Sequence, residues 1–201
     1  MSSFTDALEI CYGIEKLKAI QNAHVGIVGA GGLGSNAAAC LVRSGFIHFT
    51  ICDYDIVEAS NLNRQFYFAD QIGTPKVHAL QANLFRINPL INVEAHMTRI
   101  TETNTSTLYR KCDIVIEALD TAAGKRMLAE TYARSDKLYV SASGLAGWGN
   151  ADAIVTRWVH GQFALIGDGK TAVGSDQPPC APRVMVAAAK EADVVLSWVL
   201  Q

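Results

Sequence analysis

The spacing of apolar residues changes three times within the first fifty positions. Leu8, Ile10, Ile14, Leu17 and Ile20 recur at helical intervals and predict one helix over residues 7–21. HVGIV at 24–28 is a continuous apolar run of strand length, and GAGGLG at 29–34 is a tight turn. The small apolar stretch LGSNAAACLVRS predicts a helix over 33–44 that packs hard on a sheet, stopped by Gly45. HFTIC at 48–52 reads as a second buried strand. Thr74 and Pro75 read as the N-cap and first-turn proline of a helix running to about Asn88, with Pro89 closing it. Further strands are predicted at 93–97, 113–119 and 138–143, with a helix at 122–134 between the last two.

Strands alternating with helices through short links predict a Rossmann-like, doubly wound, mainly parallel α/β sheet. The pattern changes after Ser143. Residues 153–159 and 162–166 read as a hairpin across His160 and Gly161. A polar, Gly/Pro-rich loop follows over 167–182, of a length that in compact domains is usually functional or disordered. An amphipathic helix over 183–200 closes the chain. We read one domain over 1–201, with an N-terminal helix in 1–22, a nucleotide-binding core over 23–143, and hairpin, loop and last helix over 144–201. No internal repeat is visible. Trp148 and Trp158 flank the flexible glycines and the hairpin. Large aromatics at such places belong more often to a core than to a groove floor. The small residues of 185–192 (MVAAAKEA) suit close helix packing, in a dimer or on the chain's own sheet.

With 201 residues, half of them hydrophobic and 18% charged, the chain has enough apolar side chain for a real core, and disorder is excluded. The net charge of −2 is scattered, so no basic patch points to nucleic acid. MSSFTDALEI lacks the basic-then-apolar order of a signal peptide, and no apolar run reaches bilayer length, so a cytoplasmic location is expected. Cys11, Cys40, Cys52, Cys112 and Cys180 are widely separated without a CxxC pair. His24, His48, His78, His96 and His160 are equally dispersed, so neither a zinc knuckle nor a disulfide framework is predicted.

The chemistry begins at the glycine turn. Gly29, Gly31 and Gly34 form GxGxxG between a strand and a helix, with Gly32 inside it. This arrangement lets backbone approach a phosphate that the helix N-terminus favours. Asp53 follows Gly34 at the end of the second strand, where a carboxylate can bind ribose hydroxyls. An adenine nucleotide is the expected ligand, but these residues do not say which one. The following ICDYDIVEASNLNRQFYF at 51–68 adds Asn61, Asn63, Arg64 and Gln65, for which a plain NAD site has no evident use.

GAGGLGSN, CDYDIVEASNLNRQF, IGTPKV and IEALDT, in this order, resemble the ubiquitin-activating-enzyme-like adenylyltransferases of the ThiF/MoeB/HesA family. The resemblance runs from about Val25 to Ser143, and the tail looks like that of short ThiF-type members linked to thiamine biosynthesis. It implies that the C-terminal glycine carboxylate of a small β-grasp sulfur-carrier protein attacks the α-phosphate of ATP, giving an acyl-adenylate and pyrophosphate. By the same resemblance Gly29, Gly31, Gly32 and Gly34 line the phosphates, and Asp53 holds the ribose with Asp55 nearby. Asn61, Arg64 and Gln65 lie against the triphosphate. Lys76 supplies a second cation and Asp120 holds Mg²⁺. The carrier would end in Gly-Gly, and members are usually homodimers. Taken alone, Arg64 and Lys76 would read as surface cations and Asp120 as a helix N-cap.

Three features depart from the family pattern. Longer relatives hold zinc with two CxxC pairs, absent here, so no zinc is expected. Relatives place an N-terminal arginine into the partner's site, yet no arginine precedes Arg43, leaving Lys16 or Lys18 as the only nearby cations. Cys180 lies in the 167–182 loop, where some relatives carry a sulfur-relay cysteine. It has no adjacent histidine, only Arg183 nearby, so an incidental cysteine is the plainer reading. Two other functions compete. A NAD-dependent oxidoreductase would use the same turn and Asp53 but leave Arg64 and Lys76 unexplained. A nucleotide-binding module without catalysis would explain the missing arginine. A molybdopterin-pathway carrier fits the motifs as well as a thiamine-pathway one.

Overall fold

In the computed structural model, residues 3–201 are described. Seven strands form one sheet: β1 (His24–Val28), β2 (His48–Cys52), β3 (Asn92–His96), β4 (Ile114–Glu117), β5 (Leu138–Ala142), β6 (Val155–His160) and β7 (Phe163–Gly167). Their spatial order is β3-β2-β1-β4-β5-β7-β6. All neighbours are parallel except the β6–β7 hairpin, so the doubly wound reading holds. The order reverses direction between β1 and β4, and in such sheets ligands bind outside the carboxyl ends of the strands at that point.

One face carries α3 (Gly32–Arg43), α4 (Lys76–Ile87) and α7 (Ala181–Val199), and the larger core lies beneath them. The other face carries α5 (Thr105–Leu108) and α6 (Ala122–Tyr132) over a smaller core of Val28, Tyr109, Val115, Leu128, Tyr132 and Tyr139. Alternation along β4 divides its side chains: Ile114 and Ile116 face the first core, Val115 the second. The Ala37–Ala39 run of α3 is buried, which allows the close packing of α7 alongside it. That packing seats the 185–192 stretch inside its own chain: Ala187, Ala188 and Ala192 are buried.

The N-terminal segment differs from its expectation. It is two helices, α1 (Phe4–Tyr12) and α2 (Ile14–Asn22), broken at Gly13, whose φ of 78° a helix cannot contain. Ile10 and Ile14, counted into the single apolar stripe, are consequently exposed. Leu8, Leu17 and Ile20 crowd Gly45, so the pair covers the C-terminal end of α3. At α4 the cap position falls on Pro75 rather than Thr74, with no side chain capping it. Trp148 and Trp158 are 70% and 52% exposed, against their expected burial. Trp148 rides on a glycine-flanked loop tied to Pro178, and Trp158 sits on edge strand β6. Among the described residues no helix is long and apolar enough to cross a membrane.

Candidate functional site

Strands β1, β2 and β4 end in register, Val28 opposite Cys52 on one side and Glu117 on the other. The chain leaving each therefore emerges on the same edge, bringing together the glycine turn, Asp53 and the 118–120 segment. The Gly29 N–H donates to the Cys52 carbonyl at 2.8 Å and the Ala118 N–H to the Val28 carbonyl at 2.9 Å. Two glycines are required by shape. Gly29 has φ 102°, and a Cβ there would meet the Ala118 carbonyl oxygen at 2.7 Å; a Cβ at Gly34 would overlap the Gly29 carbonyl oxygen. Gly31 is different: only the Gln65 amide nitrogen lies near the place of its Cβ, at 4.0 Å, so the turn opens onto free space there.

The first turn of α3 has no side-chain cap and no acidic residue, leaving its N–H groups and positive dipole end available to an anion. Asp53 sits directly beside it. One oxygen accepts the Ala30 N–H at 2.6 Å and the other the Asp55 N–H at 2.8 Å, which orients the carboxylate over the turn with lone pairs to spare.

Arg64 and Gln65 are held against this turn by two side chains to which the sequence reading assigned no role. Asn36 donates to the Gly32 carbonyl at 2.6 Å and the Arg64 carbonyl at 2.8 Å. Ser35 donates to the Gly31 carbonyl at 2.6 Å and accepts the Phe66 N–H at 3.0 Å. Their signal was their place directly after the glycine motif. The aliphatic stem of Arg64 lies about Gly32, its Cγ 3.6 Å from where a Cβ would be, and its guanidinium donates to Asn63 at 2.8 Å. Gln65 is buried, and its side-chain oxygen has no hydrogen-bond partner. A buried acceptor without a donor costs on the order of 1–3 kcal/mol. Asn61 is also buried, but its side-chain oxygen accepts the Glu58 N–H at 3.0 Å and shapes the 58–61 turn.

Tyr67 closes the group from below, donating to the Ala30 carbonyl at 2.7 Å and the Lys76 carbonyl at 3.3 Å. Burial pushes its phenol well above the ordinary range. Lys76 is not a solvated lysine: its side chain is 8% exposed, and its ammonium pairs with Asp55 at 2.9 Å. Asp120 stands apart on the β4 side, exposed, and the N-cap of α6 is Thr121, whose hydroxyl accepts the Gly124 N–H at 3.2 Å. Behind it Glu117, fully buried, accepts Lys125 at 2.8 Å, Ser141 at 2.7 Å and the Leu119 N–H at 2.6 Å, which fixes the turn that carries Asp120.

Cys180 caps α7, half-buried, its thiol on the Pro178 carbonyl. One helical turn on, Val184 comes within 3.0 Å of the place of a Gly32 Cβ, so the α7 terminus abuts the glycine turn. Arg183 does not serve the thiol. It is buried, pairs with Asp168 at 2.7 Å, and donates to the Gly149 and Asn150 carbonyls. Lys16 and Lys18 are exposed on α2, at the opposite end of α3 from the glycine turn.

The chain spans about a third of the length of the curated relatives it matches. It is 35% identical over 134 residues to the adenylyltransferase and sulfurtransferase MOCS3 of Culex quinquefasciatus, covering 66% of this chain and 31% of that protein. It is 38% identical over 109 residues to a sulfur carrier protein adenylyltransferase of Thermus thermophilus, covering 54% and 40%. In fold it is similar to the E. coli tRNA N6-threonylcarbamoyladenosine dehydratase TcdA in complex with AMP, at TM-score 0.82 and 22% identity over 97% of this chain and 91% of that one. The ThiF family profile matches residues 7–187, and on the strength of that match the chain belongs to the ThiF family.

Proposed function

We propose that the chain adenylylates the C-terminal glycine carboxylate of a small β-grasp sulfur-carrier protein, using ATP. The observation that carries this is a convergence at one sheet edge. An uncapped α3 N-terminus, the stem of Arg64 packed about Gly32 and the buried Lys76 ammonium lie together there. A dinucleotide site has no need of the two cations. A carboxylate approaching a triphosphate does, because like charges oppose the approach by several kcal/mol in a site of low effective dielectric.

In this reading Gly29, Gly31, Gly32 and Gly34 admit the phosphates to the N–H groups of α3, and Asp53 accepts the ribose hydroxyls. Arg64 takes the phosphate oxygens as a planar fork, and Lys76 exchanges Asp55 for phosphate as charge develops. The carrier carboxylate oxygen bonds to the α-phosphorus, and the bond from that phosphorus to the bridging oxygen breaks with pyrophosphate leaving. Among the described residues no three His, Cys, Asp or Glu gather as a ready metal cage. Asp120, an exposed carboxylate at the end of β4, would hold Mg²⁺, a hard cation that takes oxygen ligands. That ion would neutralise phosphate charge.

Relatives named as sulfur carrier protein adenylyltransferase and as MOCS3 support a carrier as substrate. A ThiS-like carrier of thiazole biosynthesis, acted on by a cytoplasmic homodimer, is the finer form of the proposal. ATP–pyrophosphate exchange with Mg²⁺ and purified carriers ending in Gly-Gly tests it. Carrier-dependent exchange that falls on the order of 100-fold in Arg64→Ala and Asp120→Ala is the expected result. ATP binding without exchange, whatever the carrier, would overturn it in favour of a nucleotide-binding module.

A further inference from the structure

Beneath Asp120 lies a buried ion pair that the phosphate chemistry does not use. Glu117, the last residue of β4, is fully buried. All of its lone pairs are taken. Oε1 accepts the Leu119 N–H at 2.6 Å and the Lys125 ammonium at 3.2 Å, and Oε2 accepts that ammonium at 2.8 Å and the Ser141 hydroxyl at 2.7 Å. Lys125 also donates to the Ala142 carbonyl at 3.0 Å. One knot of side chains thus joins the ends of β4 and β5 to the start of α6.

Neither residue serves its own element. The Lys125 N–H bonds the carbonyl of the N-cap Thr121 at 3.0 Å, so its cation stands near a helix N-terminus, where it opposes the dipole. Burying a carboxylate and an ammonium is also costlier than burying an apolar pair of the same size. What the pair fixes is the segment that follows Glu117. The Ala118 N–H is held by the Val28 carbonyl at 2.9 Å, and the next N–H, of Leu119, by Glu117. Two consecutive peptides are pinned beside the glycine turn, and Asp120 comes next. Asp120 is exposed, so its carboxylate stands where this backbone puts it. We propose that Glu117 and Lys125 are positioning residues that hold Asp120 at the phosphate edge and so set how strongly the site takes the nucleotide's divalent cation. This rests on the reading of Asp120 as the carboxylate that holds Mg²⁺. Hydrogen-bonded partners behind a metal ligand typically govern about 10–100-fold in metal affinity.

Calorimetry measures ATP binding without metal and with Mn²⁺ in place of Mg²⁺, and the ratio of the two affinities is the metal's share. The proteins are the intact chain, Asp120→Ala and the double variant Glu117→Gln/Lys125→Met, which removes both charges together so that neither is left buried and unpaired. The ratio is expected to fall about tenfold in both variants, with metal-free ATP binding and the unfolding temperature of the double variant unchanged. A folded double variant that weakens ATP equally with and without Mn²⁺, or in neither case, shows that the pair serves the fold alone and overturns the inference. Should the double variant not fold, Ser141→Ala frees one bond of the same carboxylate and leaves both charges in place. A lower ratio there supports the inference, and an unchanged one overturns it. An intact chain whose ATP affinity ignores Mn²⁺, or an unchanged ratio in Asp120→Ala, removes the reading of Asp120 and the inference together. A fall in Asp120→Ala with none in the double variant removes the inference alone.

Discussion

At the scale of single residues, the site is governed by where atoms cannot go. Gly34→Ala places a Cβ on the Gly29 carbonyl oxygen, which no rotamer relieves because the obstacle is backbone. Loss of ATP binding with a fall in unfolding temperature is expected, read by calorimetry and thermal melting. Gly31→Ala meets only the end of the Gln65 side chain, so the fold should hold and any loss should appear in ligand affinity alone. Asn36 makes a subtler prediction. Its amide ties the Arg64 carbonyl to α3, so Asn36→Ala should reduce exchange through a mispositioned Arg64 while stability in denaturant melts drops by no more than the roughly 1–3 kcal/mol of the lost hydrogen bonds. Arg64 and Lys76 were legible only through their neighbours in the chain. Taken singly each looks like a surface cation, and the burial of Lys76 against Asp55 is made by a contact across 21 positions.

Among the elements, α7 holds the clearest contradiction of local expectation. Glu191 lies within a charged-looking KEAD stretch, yet it is fully buried and neither carboxyl oxygen has a partner. Burial pushes its pKa well up, Lys125 opposes this, and Glu117 adds to it from the other face of the sheet. The folded state therefore keeps a proton that the unfolded chain releases above about pH 4.5. Stability accordingly declines as pH rises from there toward the folded value. Glu191→Leu should abolish that decline and raise stability at pH 8 by about 1–3 kcal/mol, measured by denaturant melts at pH 5 and pH 8. Asp168 at the start of the 167–182 loop has the opposite sign. Burial alone would raise its carboxyl, but the Thr171 and Lys170 N–H groups, the Thr171 hydroxyl and Arg183 hold it at about 2. Its contribution is complete above the ordinary value of 3.8 and is lost as pH falls toward 2, where the loop should loosen from α7. Asp168→Asn should shift the onset of acid unfolding, followed by near-ultraviolet circular dichroism, toward higher pH.

For the whole molecule, the placement of the N-terminal helices bears on the missing arginine. A helix rises about 1.5 Å per residue, so α2, packed at the far end of α3, holds Lys16 and Lys18 the length of that helix away from the glycine turn of the same chain. Replacing both with alanine should leave carrier-dependent exchange unchanged; a large loss would require a second copy that brings them to the site. Cys180→Ser should likewise leave exchange intact, because the proposed adenylylation uses phosphate contacts and no thiol. A drop in exchange would tie the thiol to the first step.

The alternation of strand and helix, the hairpin across His160 and Gly161, and the glycine turn beside Asp53 were all readable from the chain. Periods of 2 and 3.6 and turn chemistry are properties of neighbouring residues. The break at Gly13 was readable too, and a single amphipathic stripe drawn through it concealed it. Other outcomes had no local signal. Strand order, the exposure of Trp148 and Trp158, the burial of Glu191 and the stitching of Arg64 to α3 by Asn36 depend on which distant elements come to lie above a residue. Sequence by itself determined which groups the proposed nucleotide edge would contain. Tertiary structure decided which of them stand together there, because burial and hydrogen-bond partnership are set between elements far apart in the chain.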